Sequence, residues 1–176
     1  MNDERLVRRA QQGDKDAFVQ LIKSMEASLY KVSKAILISD SECLDAVQET
    51  ILNAYTNISQ LREPKYFKTW ITRILINECN KIRKVQTRIV QMDDYLEPTT
   101  VSEQTDAIVD VQSAINCLEP DLRTVITLYY YEDLSIKEIA TILDIASGTV
   151  KSRLNRARTK LGGLLNNHAE GRLIHE

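Results

Sequence analysis

The sequence predicts an all-α protein of two small helical domains joined by a flexible acidic linker, with a helix-turn-helix in the second domain. The 176-residue chain has 43% hydrophobic residues but only five glycines and three prolines, and β-rich runs with turn signals are scarce. Its apolar residues recur at helical spacing along most of the chain. A basic block followed by an acidic block separates the two periodic regions. We therefore place the domains at residues 1–92 and 107–176 and the linker at residues 93–106.

The amino-terminal third of the chain is predicted to be helical. Residues 1–34 read as helix with a break at Gly13-Asp14. A further helix starts at Asp40, where acidic residues suit a helix amino terminus. We expect its apolar face to be buried and its polar face to be exposed. The apolar set is Leu44, Val47, Ile51, Leu52 and Tyr55, and the polar set is Asp45, Gln48, Glu49 and Asn53.

The longest helix is predicted from about Tyr66 to Val90, after a loop over residues 57–66 that contains Pro64. Its apolar residues repeat at helical spacing, so we expect one buried face. Trp70 belongs to this face and is expected to be mostly core. The face comprises Phe67, Trp70, Ile71, Ile74, Leu75 and Ile82.

Charge divides the middle of the chain. Residues 65–92 hold seven basic residues against Glu78 alone, and residues 93–110 hold six acids and no base. Residues 93–106 also contain Pro98 and show no helical period, which is typical of a flexible tether. The net charge of −2 predicts nothing about a binding partner. The basic block and the acidic block instead indicate that these two segments have different electrostatic roles.

The second domain is predicted to begin with the apolar residues Ile108, Val111, Ile115 and Leu118. Pro120 suits the first turn of the next helix. That helix leads to the tyrosine cluster at residues 129–131, which we expect to pack beneath the elements that follow.

A capping box and a basic helix come next. Ser135 with Glu138 three residues later is a capping box, and residues 144–148 break the helical pattern that follows it. The second helix is predicted over residues 149–161, before a polar tail from Asn166. It carries no acid from residue 145 to 165. Its apolar positions form one helical face: Val150, Leu154, Ala157 and Leu161.

Two short helices, of which only the second is uniformly basic, are typical of a helix-turn-helix that enters the major groove. A basic amphipathic helix by itself is more often a solvated face, but the capped helix and short turn before it favour DNA binding. Three side chains point away from the apolar face and can reach base edges, namely Ser152, Asn155 and Arg156. Three others flank that face and are expected to hold phosphates, namely Lys151, Arg153 and Arg158.

Four stretches resemble the extracytoplasmic-function (ECF) sigma factors of bacterial RNA polymerase, group 4 of the sigma-70 superfamily. Residues 45–55 (Asp-Ala-Val-Gln-Glu-Thr-Ile-Leu-Asn-Ala-Tyr) resemble the family's polymerase-binding helix. Residues 67–77 (Phe-Lys-Thr-Trp-Ile-Thr-Arg-Ile-Leu-Ile-Asn) resemble the helix that recognises and opens the minus-ten element. Residues 133–140 and 148–158 resemble the carboxyl-terminal promoter-binding domain.

The resemblance implies a sigma factor that binds core RNA polymerase, directs it to promoters and helps melt the minus-ten element. The second domain would bind the minus-thirty-five element and the polymerase flap, and the acidic linker would lie in the active-centre cleft. An anti-sigma factor, membrane-anchored or not, would hold the protein inactive. The largest-subunit clamp helices would meet Asp45, Gln48, Glu49 and Asn53. Minus-ten DNA would meet Asn57, Gln60, Arg62, Tyr66, Arg73, Asn77, Asn80, Lys81 and Lys84.

The sequence departs from the family pattern at a few positions. Ile51 stands where phenylalanine is common, and Thr72 and Leu75 replace a frequent tyrosine and alanine. Ala146 stands where the family has serine, so Ser147 is expected to cap the recognition helix instead.

Two other functions compete with this interpretation. A two-domain helix-turn-helix regulator without sigma activity would share the second domain but would have no use for the stretches at residues 45–55 and 67–77. An enzyme is disfavoured because His168 and His175 lie in the polar tail and no Gly-rich phosphate loop or carboxylate cluster appears. We predict no metal and no cofactor.

The three cysteines, Cys43, Cys79 and Cys117, fit neither a metal pattern nor a disulfide framework, and we expect them to be small core residues of a reduced protein. No apolar run reaches the ~20 residues of a membrane span, and no apolar signal segment is seen at the amino terminus. The sequence therefore predicts a soluble cytoplasmic protein.

Overall fold

The computed structural model describes residues 2–92 and 111–171, with side chains described for residues 3–86 and 111–165. All regular structure in these ranges is helical, which confirms the all-α prediction. The predicted linker, Ile108 and the end of the polar tail lie outside the described residues. Within the described part of the chain, no helix has the length and apolarity to cross a membrane. The helices are α1 (Asn2–Gln11), α2 (Lys15–Ile36), α3 (Asp40–Asn57), α4 (Phe67–Met92), α5 (Val111–Asn116), α6 (Pro120–Ile126), α7 (Ile136–Leu143) and α8 (Ser147–Gly171).

The predicted break between α1 and α2 is confirmed. Gly13 has φ +90°, a conformation that suits glycine, and the Asp14 carboxylate caps α2 by accepting a hydrogen bond from the Ala17 amide at 3.0 Å. The Ala17 amide and then Arg9, which donates to Asp14 at 2.6 Å, hold the pKa of Asp14 below its usual range. The chain therefore turns sharply enough for α1 to pack back on α2.

The first half of the chain is a bundle in which α2, α3 and α4 pack against one another. Leu21, Leu29, Ile71 and Leu75 are among its fully buried side chains. The expected loop over residues 57–66 contains two short turns of 3-10 helix, at Ile58–Gln60 and Pro64–Tyr66. Gln11 donates hydrogen bonds to the Ile58 and Leu61 carbonyls, and these bonds tie the loop to α1.

The cysteines divide into two kinds. Cys43 and Cys79 are buried, as predicted, and burial raises both pKa values, that of Cys79 to about 12, so these thiols stay protonated. The prediction is wrong for Cys117, which is exposed. It lies just after the end of α5, where the core position is taken by its neighbour Leu118.

The second half of the chain packs α6 and α7 against α8. Pro120 stands in the first turn of α6, as predicted, and a π-helical turn at Thr127–Tyr131 continues that helix. Of the apolar residues predicted to begin this domain, Ile115 and Leu118 are buried, whereas Val111 is 51% exposed at the start of α5. The fully buried side chains of this half include Val125, Leu128, Ile139, Val150 and Leu154.

The predicted capping box of α7 is confirmed. The Ser135 hydroxyl accepts a hydrogen bond from the Glu138 amide at 3.3 Å, and the Glu138 carboxylate accepts one from the Ser135 amide at 2.9 Å. The helix ends at Leu143, and the cap residue Asp144 that follows has a left-handed φ of 54°, which turns the chain towards α8. Both ends of α7 are thus set by local side-chain and backbone geometry.

Ser135→Ala is expected to lower the free energy of unfolding by about 1 kcal/mol, because one amide of α7 loses its cap. The hydroxyl and amide of Ser135 also hold the pKa of Glu138 below its usual range. That stabilisation is present at neutral pH and is lost as the pH falls through the lowered pKa. Urea unfolding at neutral and acidic pH measures both effects. The difference in the free energy of unfolding between the wild-type chain and the variant should be smaller at acidic pH.

Ser39→Ala is the matched control, because Ser39 occupies the same position before α3 but makes no side-chain cap bond. Equal losses in the two variants would contradict the assignment of stability to the capping box.

The two halves of the chain pack against each other, an arrangement that the sequence did not predict. Contacts join α2 to α6 and α4 to α7. Glu132, only 4% exposed, accepts a hydrogen bond from Ser28 at 2.6 Å and pairs with Lys68 at 3.1 Å. Arg123 donates to the Ala35 carbonyl at 2.8 Å. These contacts bring the helix-turn-helix beside α4.

Candidate nucleic-acid and polymerase interfaces

The helix-turn-helix is formed by α7 and α8. Val150, Leu154 and Ala157 are buried, as their spacing predicts, and Leu161 is partly buried. The expectation that Ser147 caps α8 is wrong. The Ala146 carbonyl accepts the Val150 amide at 3.2 Å, so Ala146 holds the cap position and Ser147 lies in the first turn. The helix also continues beyond Leu161, through the glycines and into the predicted polar tail.

The three side chains expected to read bases are all exposed on the outer face of α8. The Ser152 hydroxyl donates to the Thr149 carbonyl at 3.0 Å and is thereby turned towards its own helix. Asn155 and Arg156 have exposed side chains, and neither makes a side-chain hydrogen bond or ion pair with the described part of the chain. This leaves Asn155 and Arg156 as the groups best placed to meet base edges.

The three cations expected to hold phosphates differ from one another. Lys151 is exposed. Arg153 is half-buried and pairs with Asp121 of α6 at 2.6 Å. Arg158 donates to the Tyr130 hydroxyl at 2.9 Å, and its guanidinium lies 5.7 Å from the rings of both Tyr129 and Tyr130. Lys151 is therefore the most available of the three.

The tyrosine cluster does not simply pack beneath the helix-turn-helix. Tyr129 is partly buried, but Tyr130 and Tyr131 are 56% and 41% exposed. The ring of Tyr131 meets the ammonium of Lys31 at 3.3 Å, across the contact between the two halves. The prediction therefore holds for Tyr129 only, although all three tyrosines lie in the same π-helical turn.

One groove gathers four of the cation and amide side chains predicted to meet minus-ten DNA. Asn77, Asn80, Lys81 and Lys84 of α4 line it together with Asn53 of α3. Arg73 is not part of this groove. It lies nearer the start of α4 and lines a separate groove with Lys137, Thr141 and Ser147 of the helix-turn-helix.

The residues predicted in the loop before α4 are brought together only in part. Asn57 donates to the Asn53 side-chain oxygen at 2.9 Å, and Gln60 donates to the Asn57 side-chain oxygen at 2.9 Å. Arg62 is exposed, and Tyr66 is 49% exposed with the Lys65 ammonium 4.9 Å from its ring centre. The amides therefore form a connected set at the end of α3 that leads into the groove of α4.

The outer face of α3 carries the residues predicted to bind polymerase: Asp45, Gln48, Glu49 and Asn53 are all exposed. The prediction that Leu44, Leu52 and Tyr55 are buried is wrong. They are 52%, 61% and 48% exposed and lie beside the polar residues. The face that packs on α2 and α4 instead uses small side chains, which permit close approach of the helices. These are Cys43, Ala46, Thr50 and Ala54, together with Val47.

Sequence reasoning missed this exposed apolar patch, although a signal for it was present. Ala46, Thr50 and Ala54 repeat at intervals of four, which marks a close-packed helix face. An exposed apolar patch flanked by polar residues is a feature of protein interfaces. Leu44, Leu52 and Tyr55 thus strengthen the prediction that α3 meets a protein.

Comparison with known proteins decides the family. The sigma-70 region 2 family model matches residues 21–89, and the sigma-70 region 4 family model matches residues 108–161. The chain is 33% identical to an ECF RNA polymerase sigma-E factor of Haemophilus influenzae, over 90% of this chain and 92% of that protein. The chain belongs to the ECF sigma factors of the sigma-70 family. An ECF sigma factor of Bacillus subtilis, SigW, is 30% identical over 88% of this chain and 92% of that protein.

Solved structures agree with this ECF sigma fold. The sigma factor RpoE of Bartonella quintana, in complex with the anti-sigma factor NepR, matches with a TM-score of 0.71 and 27% identity, over 85% of this chain and 96% of that chain. CnrH, in complex with the cytosolic domain of CnrY, shares the fold with a TM-score of 0.68 and 24% identity, over 95% of this chain and 99% of that chain.

Proposed function

We propose that this ECF sigma factor binds core RNA polymerase, directs it to specific promoters and helps to melt their minus-ten element. The observation that carries the proposal is the match of both sigma-70 regions, in order, within a chain that is similar to an ECF sigma factor over nine-tenths of its length. The functional units are a polymerase- and minus-ten-binding domain at residues 1–92 and an upstream-element domain at residues 107–176.

The outer face of α3 is the proposed contact with the clamp helices of the polymerase largest subunit. Asp45, Gln48 and Glu49 supply polar partners there, and Leu44 and Leu52 supply exposed apolar area beside them. Aliphatic side chains next to exposed carboxylates and amides suit a partner surface that is both apolar and basic.

The recognition helix α8 is the proposed reader of the minus-thirty-five element, with the second domain also meeting the polymerase flap. Asn155 suits adenine and Arg156 suits guanine in the major groove. Lys151 binds a phosphate directly. Arg153 and Arg158 do so while they stay braced by Asp121 and Tyr130.

The loop after α3 and the groove of α4 are the proposed minus-ten site. Opening a promoter requires unstacked bases to be held, and that needs stacking surface, amides and cations close together. Tyr66 offers an exposed ring, Asn57 and Gln60 offer amides, and Lys81 and Lys84 offer charge. Arg62, Asn77 and Asn80 extend this surface. Arg73, which shares a groove with the helix-turn-helix, joins the surface only when the helix-turn-helix has moved away from α4.

Regulation by an anti-sigma factor is part of the proposal. The similar sigma factor RpoE was solved with the anti-sigma factor NepR, which supports a partner of that class for this chain in the cytoplasm. Such a partner would cover the polymerase- or DNA-binding faces. Membrane anchorage of the partner is an expectation from the family resemblance only.

The acidic linker at residues 93–106 is proposed to lie in the polymerase active-centre cleft. Replacing it by a neutral flexible segment of equal length should change initiation or promoter escape while promoter binding is kept, because its acids mimic nucleic-acid charge there. A segment of equal length that keeps the acids in shuffled order is the control. The measurement is the ratio of abortive to full-length transcripts from one promoter. If this ratio is the same with the neutral segment as with the natural linker, the linker serves only as a tether.

Binding to core polymerase in the absence of DNA separates a sigma factor from a helix-turn-helix regulator that lacks sigma activity. We expect the purified chain to co-purify with core polymerase and to be displaced by another sigma factor. A chain that binds DNA but leaves core polymerase unbound would favour the regulator.

A further inference from the structure

Glu132 is a buried carboxylate at the contact between the two halves of the chain, and the proposed function assigns it no role. It follows the π-helical turn of the second half and is only 4% exposed. Its carboxylate accepts a hydrogen bond from the Ser28 hydroxyl at 2.6 Å and lies 3.1 Å from the Lys68 ammonium. Both partners belong to the first half. Within the described part of the chain, this carboxylate has no hydrogen-bond or ion-pair partner from its own half.

The two members of this ion pair differ in exposure. The Lys68 side chain is 46% exposed, and its ammonium also donates to the Glu132 backbone carbonyl at 2.6 Å. An exposed ammonium that loses its partner is solvated by water, whereas a buried carboxylate that loses its partner remains as an uncompensated charge. The packing of the two halves therefore needs Lys68 in order to tolerate the charge of Glu132.

Two further contacts between the halves are also polar. Arg123 donates to the Ala35 carbonyl at 2.8 Å, and the Lys31 ammonium lies 3.3 Å from the centre of the Tyr131 ring. Contacts of this kind between domains resemble transient protein–protein interfaces, at which domain motion is expected. The two halves can therefore separate once the ion pair of Glu132 no longer holds them.

The packed arrangement covers Arg73, which we assign to minus-ten DNA. Arg73 lines a groove whose opposite wall includes Lys137 of α7 and Ser147 of α8. One turn earlier on α4, Thr69 donates to Glu138 of α7 at 3.4 Å. Because the helix-turn-helix forms the opposite wall, a DNA strand can lie along α4 at Arg73 only after the two halves separate.

We propose that Lys68 and Glu132 form a latch that holds the free chain in a closed, self-inhibited state, in which Arg73 is withheld from promoter DNA. This inhibition differs from that by an anti-sigma factor, because both members of the latch belong to this chain and no second protein is needed. The consequence for Arg73 rests on the proposed function. The closed state itself is tested without DNA or polymerase.

Energy transfer between two dyes on the full chain measures the separation of the halves. Cys117 is exposed in the second half, whereas Cys43 and Cys79 are buried, so one dye attaches at Cys117. Lys23→Cys, at an exposed position of α2, takes the other dye. Lys68→Ala should raise the ratio of open to closed chains at least about thirtyfold, because the closed state then buries an unpaired carboxylate.

Glu132→Gln distinguishes the latch from a simple packing contact of Lys68. By itself it should change the ratio of open to closed chains by less than about fivefold, the range of a partly exposed ion pair. Glutamine still accepts the Ser28 hydrogen bond and leaves no buried charge. For the same reason, the double variant Lys68→Ala, Glu132→Gln should return to within about fivefold of the wild-type ratio.

Lys34→Ala is the matched control. Lys34 pairs with Asp40 at 2.8 Å within the first half, and the Asp40 carboxylate is exposed, so its loss leaves no buried charge. The ratio of open to closed chains should stay within about twofold of the wild-type value, as expected of a surface substitution. If thermal unfolding shows that Lys68→Ala does not fold, Lys68→Met removes the same charge and keeps the apolar stem.

Binding of a forked minus-ten DNA fragment to the free chain tests the role of Arg73. Lys68→Ala should bind this fragment at least about fivefold more tightly than the wild-type chain, although it has lost a cation, because more of the chain is open. Arg73→Ala should weaken binding at least about threefold in the Lys68→Ala background and by less than about twofold in the wild-type background, since coupled residues are not additive.

Two results would overturn the latch, namely an unchanged dye separation in Lys68→Ala and an open double variant Lys68→Ala, Glu132→Gln. Equal losses from Arg73→Ala in both backgrounds would overturn the claim that Arg73 is withheld. If the dye measurements agree with the latch but the wild-type chain binds no minus-ten DNA even with core polymerase, the proposed function fails and the latch stands.

Discussion

Core RNA polymerase is expected to bind the double variant Gln48→Ala, Glu49→Lys at least about tenfold more weakly than the wild-type chain, because charge reversal at an interface costs several kcal/mol. Both side chains are exposed on α3, and their replacement disturbs no buried contact in the described structure. The variant should therefore fold normally. Competition with labelled wild-type chain for core polymerase measures the affinity, and thermal unfolding checks the fold.

Glu26→Lys supplies the matched charge reversal on an exposed position of α2, away from the α3 face. We expect it to bind polymerase as the wild-type chain does. Retention of full affinity by the α3 double variant, at a wild-type unfolding temperature, would show that the outer face of α3 is not the polymerase contact.

Arg156→Ala and Lys151→Ala are expected to weaken promoter binding in different ways. Arg156 lies on the face of α8 opposite the buried seam, so its loss should cost on the order of 1–3 kcal/mol at one or two upstream base pairs and relax the choice there. Lys151 lies to the side of that face, so its loss should weaken binding to all DNA sequences alike. It should also reduce the slope of the logarithm of the binding constant against the logarithm of the salt concentration by about one unit.

The measurement is binding of the polymerase-bound protein to a library of upstream-element variants at two salt concentrations. Thr159→Ala, an exposed change on the same helix, serves as the control. If Arg156→Ala and Lys151→Ala both lower the affinity equally for all upstream elements, the placement of α8 in the major groove is contradicted.

Local signals predicted the secondary structure well. The break at Gly13-Asp14, the start of α6 at Pro120 and the Ser135–Glu138 capping box all depend on residues within four positions of one another. Such interactions can be read from the order of residues alone. The buried seam of α8 was predicted for the same reason, since one helical face follows from spacing.

The features that the sequence did not predict depend mostly on contacts between residues far apart in the chain. The exposure of Leu44 and Leu52 depends on how closely α4 approaches α3. The pairs of Arg153 with Asp121 and of Arg158 with Tyr130 join residues about thirty positions apart. Ser147 does not cap α8 because the helix already begins at Ser147, and a cap residue must stand before the first helical residue.

The candidate sites show the same division. Side chains on a single helix face, such as Asn155 and Arg156, lie where their phase predicts. The groove that joins Asn53 to α4 and the packing of α7 beside Arg73 need three-dimensional placement of two helices. Glu78 stood out in the sequence by its charge, but its partner Asn53 lies 25 positions away on another helix.

Transcription reconstituted from purified core RNA polymerase and the full chain on a library of genomic promoter fragments tests the central claim most directly. The account predicts transcripts that depend on the added protein and start from a limited set of promoters with shared minus-thirty-five and minus-ten elements at a fixed spacing. Transcripts identical to those of core polymerase without the protein would contradict it.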